Sequence, residues 1–94
     1  MANKYTIQHS KRYKKSIKKF DNETLEEIFV VVERLANGET LEEKYRDHKL
    51  QGAYKAFREC HIRPNLCLIY QRKDDMLILV LVDVGSHSDL RLTS

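Results

Sequence analysis

Apolar residues recur with helical spacing through the first third of the chain. Tyr13, Ile17 and Phe20 occur at positions i, i+4 and i+7 after Ser10, a residue type that caps helices. A longer stripe with the same period ends at Asn37-Gly38, a common C-terminal stop, and contains Leu25, Ile28, Phe29, Val32, Leu35 and Ala36. The pattern predicts two consecutive helices, preceded by a short strand at residues 5–9.

The second half of the chain changes to patterns typical of β-strands. After a polar stretch with a possible capping pattern at Thr40 and Glu43, apolar runs occupy residues 53–60, 66–71 and 76–82, separated by turns at 63–65 and 73–75. The last run is apolar on both faces, so we expect a central strand with helices on one side and loops or the tail on the other. The predicted order is β-α-α-β-β-β, an α+β fold with two N-terminal helices packed on an antiparallel sheet.

Length and composition exclude several classes of protein. The chain has 94 residues, enough for one modest core, so we expect a single domain over residues 1–94. Residues 1–7 contain no signal-peptide run, and the apolar run at 76–82 is too short to span a bilayer. The two cysteines are too few for a disulfide scaffold. We therefore expect a cytoplasmic protein with reduced thiols and no membrane association.

Charge is distributed unevenly along the sequence, although the net charge is only +3. Residues 4–20 contain seven Lys and Arg and no acid, residues 21–43 contain eight acids and one Arg, and residues 44–73 contain eight Lys and Arg and two acids. Two basic blocks around an acidic one could form a positive face that attracts a polyanion. Solvated helix faces would give the same counts, so charge alone does not decide between these interpretations.

Three of the four histidines lie in the second half of the chain, at His48, His61 and His87. Imidazole has an unperturbed pKa of about 6.5, which suits it to proton transfer near neutrality. A cluster of imidazoles among Lys and Arg fits acid–base chemistry on a phosphate-bearing substrate, and RNA is the obvious candidate. Taken singly, each histidine could equally be a polar surface residue.

The two cysteines allow one further interpretation. Cys60 and Cys67 flank a predicted turn and could face each other across a hairpin, with His61 beside them. Two thiols and one imidazole lack the usual four-ligand spacing of a zinc site. We therefore expect no metal ion and no cofactor.

Four motifs, in this order and spacing, resemble the YafQ-type branch of the RelE/ParE toxins of bacterial toxin–antitoxin systems. They are Asp47-His48-x-Leu50-Gln51-Gly52, Arg58-x-x-His61-x-x-Pro64, Leu68-Ile69-Tyr70 and Gly85-x-His87-x-x-Leu90. The resemblance implies a RelE-like fold and a small, metal-independent endoribonuclease that cuts mRNA in the A site of the 70S ribosome. It also implies a toxin that is monomeric by itself and is held inactive in a hetero-oligomer with a cognate antitoxin.

The resemblance also implies roles for individual residues. Attack of a 2′-hydroxyl on the adjacent phosphate needs a base, an acid for the 5′-oxygen and cations for the phosphoryl oxygens. The family places its acid at the position of His87, while His48 and His61 shape and stabilise the site. Arg58 would hold the scissile phosphate. Neighbouring phosphates or ribosomal RNA would contact the basic residues Lys44, Arg46, Lys49, Lys55 and Arg63.

Two positions depart from the family pattern. The family commonly has Asp directly after the proline, and this chain has Pro64-Asn65, whose amide cannot take up a proton near neutrality. If that carboxylate is the base, the base passes to His61 or His48, or the reaction relies on positioning and runs slowly. Family members usually end at Leu-Phe, whereas Leu90 is followed here by Arg91, which could contact a phosphate or mark an attenuated variant.

These departures leave a second class of function open. The chain could be a binding toxin without catalysis, like the gyrase-inhibiting ParE branch of the same fold, or an inactive variant that still binds antitoxin. The ordered set of histidines favours the ribonuclease, because a pure protein inhibitor needs no cluster of titratable groups. Asn65 favours attenuation.

Overall fold

The computed structural model describes residues 3–90, which form a mixed sheet with helices on its faces. Three helices, α1 (Lys11–Ser16), α2 (Asn22–Ala36) and α3 (His87–Leu90), lie in this range. The strands are β1 (Thr6–His9), β2 (His48–Lys49), β3 (Arg58–Arg63), β4 (Leu66–Lys73) and β5 (Ile78–Gly85), in the spatial order β1-β5-β4-β3-β2. No helix in residues 3–90 has the length and apolar character needed to cross a membrane.

The direction of the first strand differs from the prediction. β1 runs parallel to β5, with Thr6 opposite Ile78, while the other neighbours pair antiparallel. The prediction of an entirely antiparallel sheet is therefore wrong, although the α+β class is confirmed. The two N-terminal helices carry the chain away from β1 to the opposite edge of the sheet, and the hairpins then return it to β5, which lies between β1 and β4. The last apolar strand is therefore an internal strand, although β4 occupies the centre of the five.

Both predicted N-terminal helices are present, although α1 ends at Ser16 and a 3₁₀ turn, Ile17–Lys19, continues the chain toward Phe20. The Ser10 hydroxyl accepts a hydrogen bond from the Tyr13 N–H at 3.0 Å, and the Asp21 carboxylate accepts one from the Thr24 N–H at 2.9 Å. Both contacts satisfy N–H groups that have no partner inside the helix. After α2, Gly38 adopts a φ of 83°, a conformation that favours glycine.

The apolar side chains divide between the two faces of the sheet. The larger cluster lies between the sheet and the first two helices, and its fully buried members include Tyr13, Ile28, Leu35, Cys60, Leu68, Tyr70, Leu79 and Leu81. The smaller cluster lies on the other face, where Leu90 of α3 packs with Leu50, Cys67 and Ile69. Because successive strand residues point to opposite faces, Cys60 and Cys67 belong to different clusters. The predicted facing of the two thiols across the hairpin is therefore wrong.

Several element boundaries also differ from the prediction. Residues Gly52–Tyr54 form a 3₁₀ turn, so β3 begins at Arg58 and not at residue 53. Met76 and Leu77 are exposed in the β4–β5 turn, and β5 extends to Gly85. Local apolar character caused both errors, because it does not show the turns at Gly52, just before the first run, and at Leu77, within the last, where φ is positive. The capping pattern at Thr40 is absent: a 3₁₀ turn, Glu43–Tyr45, has Glu42 at its N-cap without a side-chain bond.

Candidate functional site

A buried carboxylate, Glu59, lies at the centre of the three histidines. Glu59 is in β3, opposite His48 of β2, and only 1% of its surface is exposed. The His48 Nε2 is 3.3 Å from Oε1 of Glu59, the His61 Nε2 is 3.9 Å from the same oxygen, and the His87 Nε2 is 3.5 Å from Oε2. The structure thus brings together the three histidines singled out in the sequence, around a residue that was not.

Each histidine is supplied by a different element. His48 is placed by the short β2–β3 ladder, and its Nδ1 donates a hydrogen bond to the Arg46 carbonyl at 2.7 Å. His61 shares a face of β3 with Glu59, because the two residues are two positions apart. His87 is the first residue of α3, and its ring meets that of His61 edge-on with centroids 5.2 Å apart.

The position of His87 depends on a tight junction between β5 and α3. Ser86 accepts a hydrogen bond from the Asp89 N–H at 3.2 Å, and the Asp89 carboxylate accepts one from the Ser86 N–H at 3.4 Å. This reciprocal pair lowers the pKa of Asp89, with the Ser86 side-chain hydrogen bond as the largest cause. A Cβ on Gly85 would lie 3.2 Å from the Asp89 Cβ, which is closer than most Cβ contacts, so Asp89 would have to shift by a few tenths of an ångström.

The three histidines and Glu59 differ in how much of each side chain is exposed to solvent. The side chains of His48 and His87 are each 49% exposed, His61 is 12% exposed and the carboxylate of Glu59 is 2% exposed. Within the described residues, Oε2 of Glu59 has no hydrogen-bond partner. A buried carboxylate is costly unless donors surround it, and the three imidazole rings are the donors nearest to Glu59. The arrangement therefore places two accessible imidazoles beside one buried carboxylate, which is a geometry suited to proton transfer.

Four donor atoms of this cluster could also hold a metal ion. One ligand atom each from Glu59, His61, Cys67 and His87 lies within 4.8 Å of the others. This set differs from the three zinc ligands considered in the sequence analysis. Cys60 lies on the other face of the sheet, and Glu59 and His87 take its place. Tetrahedral zinc, with bonds of about 2.0 to 2.3 Å, needs donor separations of about 3.3 to 3.8 Å, and burial raises the pKa of the Cys67 thiol to about 12. The four donor types fit a metal ion once the donor atoms move closer together and the Cys67 thiol loses its proton.

Arg58 is not brought together with the histidines. It precedes Glu59 in β3 and so points to the opposite face of the strand. Its Nε donates to Asp47 Oδ1 at 2.8 Å, and the Tyr70 hydroxyl donates to the other oxygen of Asp47. Burial, followed by this hydrogen bond, raises the pKa of Tyr70. Arg58 is thus paired within the protein.

The other predicted RNA-binding residues line two grooves that meet at Arg46. A groove of about 460 Å³ beside His61 carries only cationic charged side chains, from Lys44, Arg46 and Arg63, although Arg63 is also paired with Glu27. A larger groove contains six Lys and Arg, among them Lys49, Lys55 and Arg58, but the same number of carboxylates also line it: Glu39, Glu42, Glu43, Asp47, Asp74 and Asp75. The groove beside His61 is the better site for a polyanion.

Two further predicted residues are Asn65 and Arg91. Asn65 is exposed in the turn between β3 and β4. Arg91 lies outside the described residues. Glu59, which sequence reasoning missed, had one signal: it is two positions before His61, and a strand places such residues on one face.

Comparison with known proteins identifies relatives over nearly the whole chain. A family model described as "Bacterial toxin of type II toxin-antitoxin system, YafQ" matches residues 5–92. The mRNA interferase toxin YafQ of Escherichia coli is 46% identical over 33 residues, which are 35% of this chain and 36% of that protein. The match to this curated relative therefore spans about a third of its length.

Solved structures extend the similarity to more than nine tenths of each chain. The metal-bound toxin from Helicobacter pylori has a TM-score of 0.80 and 44% sequence identity, covering 92% of this chain and 98% of that one. The E. coli DinJ-YafQ toxin-antitoxin complex has a TM-score of 0.81 and 29% identity, covering 93% of this chain and 97% of that one.

Proposed function

Because the chain belongs to the YafQ family of bacterial toxins of type II toxin–antitoxin systems, we propose that it is a ribosome-dependent endoribonuclease. It cleaves mRNA in the A site, it has a RelE-like fold, and a cognate antitoxin binds it and blocks its activity. The observation that carries this proposal is the convergence of three imidazole Nε2 atoms on the Glu59 carboxylate. The relative named as an mRNA interferase and the relative solved with an antitoxin support it.

In this proposal, one of the two exposed histidines is the general base and the other is the general acid. His48 takes the proton of the 2′-hydroxyl through Nε2, and the Glu59 carboxylate, 3.3 Å away, stabilises the imidazolium that forms. The oxygen attacks the adjacent phosphorus, the bond to the 5′-oxygen breaks, and His87 donates a proton to that leaving group. His61, closer to the protein interior, holds Glu59 and the ring of His87 in place. A base therefore exists without a carboxylate at Asn65.

The substrate phosphates lie along the basic groove in this proposal. Lys44, Arg46 and Arg63 are exposed or half-exposed around His61 and present positive charge to the backbone. Lys49 and Lys55 contact phosphates or ribosomal RNA farther along, and we propose a phosphate contact for Arg91 from its sequence position alone. Arg58 acts at the scissile phosphate only if it exchanges its Asp47 partner for the substrate. Binding should consequently weaken as salt rises.

The second candidate is a toxin of the same family that binds antitoxin but cleaves slowly or not at all, or acts by binding a protein such as gyrase. Asn65 and the internal pairing of Arg58 favour it, because both reduce the groups available for catalysis. Neither feature removes the histidines or Glu59, so the ribonuclease remains the better proposal.

Induced expression followed by primer extension on a reporter mRNA tests the proposal. We expect new 5′ ends within translated codons, their loss in a His87→Ala variant, and no cleavage of the same RNA without ribosomes. Cleavage reconstituted with purified ribosomes and the full chain should persist after EDTA-treated toxin is returned to magnesium-containing buffer, because the imidazoles carry the proton transfers. Growth arrest without cleavage would instead establish the binding toxin.

A further inference from the structure

The backbone of Arg46 adopts a conformation that side chains disfavour. Its φ of 52° and ψ of 40° lie in the left-handed region, which two non-glycine residues of the described range occupy. Such a residue persists only where its surroundings determine the conformation, and it frequently marks a functional position. Arg46 ends the 3₁₀ turn Glu43–Tyr45 and directly precedes the short strand that contains His48.

The neighbours of Arg46 are fixed on both sides. Tyr45 packs against the helix-side core, with the Arg34 guanidinium 5.7 Å from its ring centroid. Asp47 is held by Arg58 and Tyr70. The chain must therefore turn sharply within one residue, and the left-handed conformation of Arg46 achieves this.

The turn aims the Arg46 carbonyl at the ring of His48. The oxygen is 2.7 Å from His48 Nδ1, and a carbonyl oxygen can only accept a hydrogen bond. Nδ1 must therefore carry a proton, and in the neutral ring the lone pair is on Nε2. The pairing of His48 with Glu59 across the two strands places that Nε2 3.3 Å from the carboxylate.

We propose that Arg46 is a positioning residue whose left-handed backbone fixes the tautomer of His48, so that Nε2 is the nitrogen that exchanges protons with substrate. The role belongs to the main chain and is separate from any phosphate contact of the Arg46 side chain. The catalytic consequence rests on the proposed ribonuclease function, whereas the tautomer itself does not.

Two substitutions separate the backbone from the side chain. Arg46→Gly and Arg46→Val both remove the guanidinium, but glycine adopts positive φ freely, whereas a β-branched residue strongly disfavours it. The tautomer is read from the ¹⁵N shifts of the His48 ring in long-range ¹H–¹⁵N spectra of the full chain, recorded where the ring is neutral. His48→Gln assigns the signal.

We expect wild-type protein and Arg46→Gly to have the proton on Nδ1, and Arg46→Val to shift toward the Nε2–H form that imidazole favours in water. A wild-type ring protonated on Nε2 would overturn the proposal, even if the valine variant did not fold. An unchanged Nδ1–H tautomer in folded Arg46→Val would overturn the role of the backbone.

Single-turnover cleavage on saturating ribosomes then measures the consequence. Both variants lack the same charge, so the ratio of their rates isolates the conformation, and we expect Arg46→Val to be at least tenfold slower than Arg46→Gly. Equal rates would overturn the link to catalysis. If wild-type protein does not cleave, the proposed function fails, while the ¹⁵N shifts still decide the tautomer.

Discussion

At the scale of single residues, Glu59 has a buried side-chain oxygen, Oε2, that lacks a hydrogen-bond partner within residues 3–90. Glu59→Gln keeps the shape of the side chain and removes the negative charge. We expect cleavage to fall about 10²- to 10⁴-fold, because the imidazolium formed at His48 loses its counter-charge. Thermal stability should be equal or higher, since an incompletely bonded charge is no longer buried.

Single-turnover rates and thermal unfolding measure the two effects. The matched control is Glu26→Gln, which removes the same charge from an exposed position on α2. An unchanged rate in Glu59→Gln would exclude the carboxylate from the chemistry, whereas a lower melting temperature would indicate that its role is structural.

The sequence predicted the histidines better than the carboxylate between them. His48, His61 and His87 recur in recognisable motifs, but Arg58 and Glu59 are adjacent charged residues that composition cannot distinguish. The pairing of β3 with β2 and β4 decides to which face of the sheet each side chain points. It directs Glu59 to the histidines and Arg58 to Asp47. Register is a tertiary property, and one strand of six residues does not encode it.

At the scale of elements, the junction between β5 and α3 controls the site. Gly85→Ala would place a methyl group 3.2 Å from the Asp89 Cβ, so that α3 has to shift by a few tenths of an ångström. We expect a loss of about 1–3 kcal/mol in the free energy of unfolding. We also expect cleavage to fall more than tenfold, because His87 starts the displaced helix.

Urea unfolding and cleavage assays check this effect, with Ser88→Ala as the control that adds no atom at the junction. Ser88 is exposed in the same helix. If Gly85→Ala matched this control in both assays, the close approach would have no role in placing His87.

Elements with a strong period were predictable and short ones were not. α2 has a continuous apolar stripe and defined caps, so its position follows from local sequence. β2 has two residues and α3 has four, and both exist because β3 and β5 provide partners for them. Since each of these short elements contributes a histidine, the least predictable parts of the fold complete the candidate site.

At the scale of the whole molecule, a buried tyrosine hydroxyl and a buried cysteine thiol make the free energy of unfolding depend on pH. Burial raises the pKa of Tyr13 from 10.0 to about 12 and that of Cys67 from 9.0 to about 12. Both groups bind protons more tightly in the folded state. Their contribution to the free energy of unfolding is therefore complete below pH 9 and is lost as the pH rises. We therefore expect the free energy of unfolding to fall as the pH is raised above about 9.

Urea titrations across this range, with a Tyr13→Phe variant, measure the dependence. Phenylalanine keeps the buried ring and removes one titrating hydroxyl, so the loss at high pH should be smaller than in wild-type protein. An identical loss in the two proteins would show that Tyr13 does not contribute to it.

The parallel pairing of β1 with β5 has a consequence for the synthesis of the chain. The first strand finds its partner only when residues 78–81 are available, and Glu59 meets His87 at almost the same point. Such distant pairings form late in folding. The contact between Glu59 and His87 therefore cannot form before residue 87 has been synthesised, and the proposed nuclease site stays incomplete on the ribosome until then.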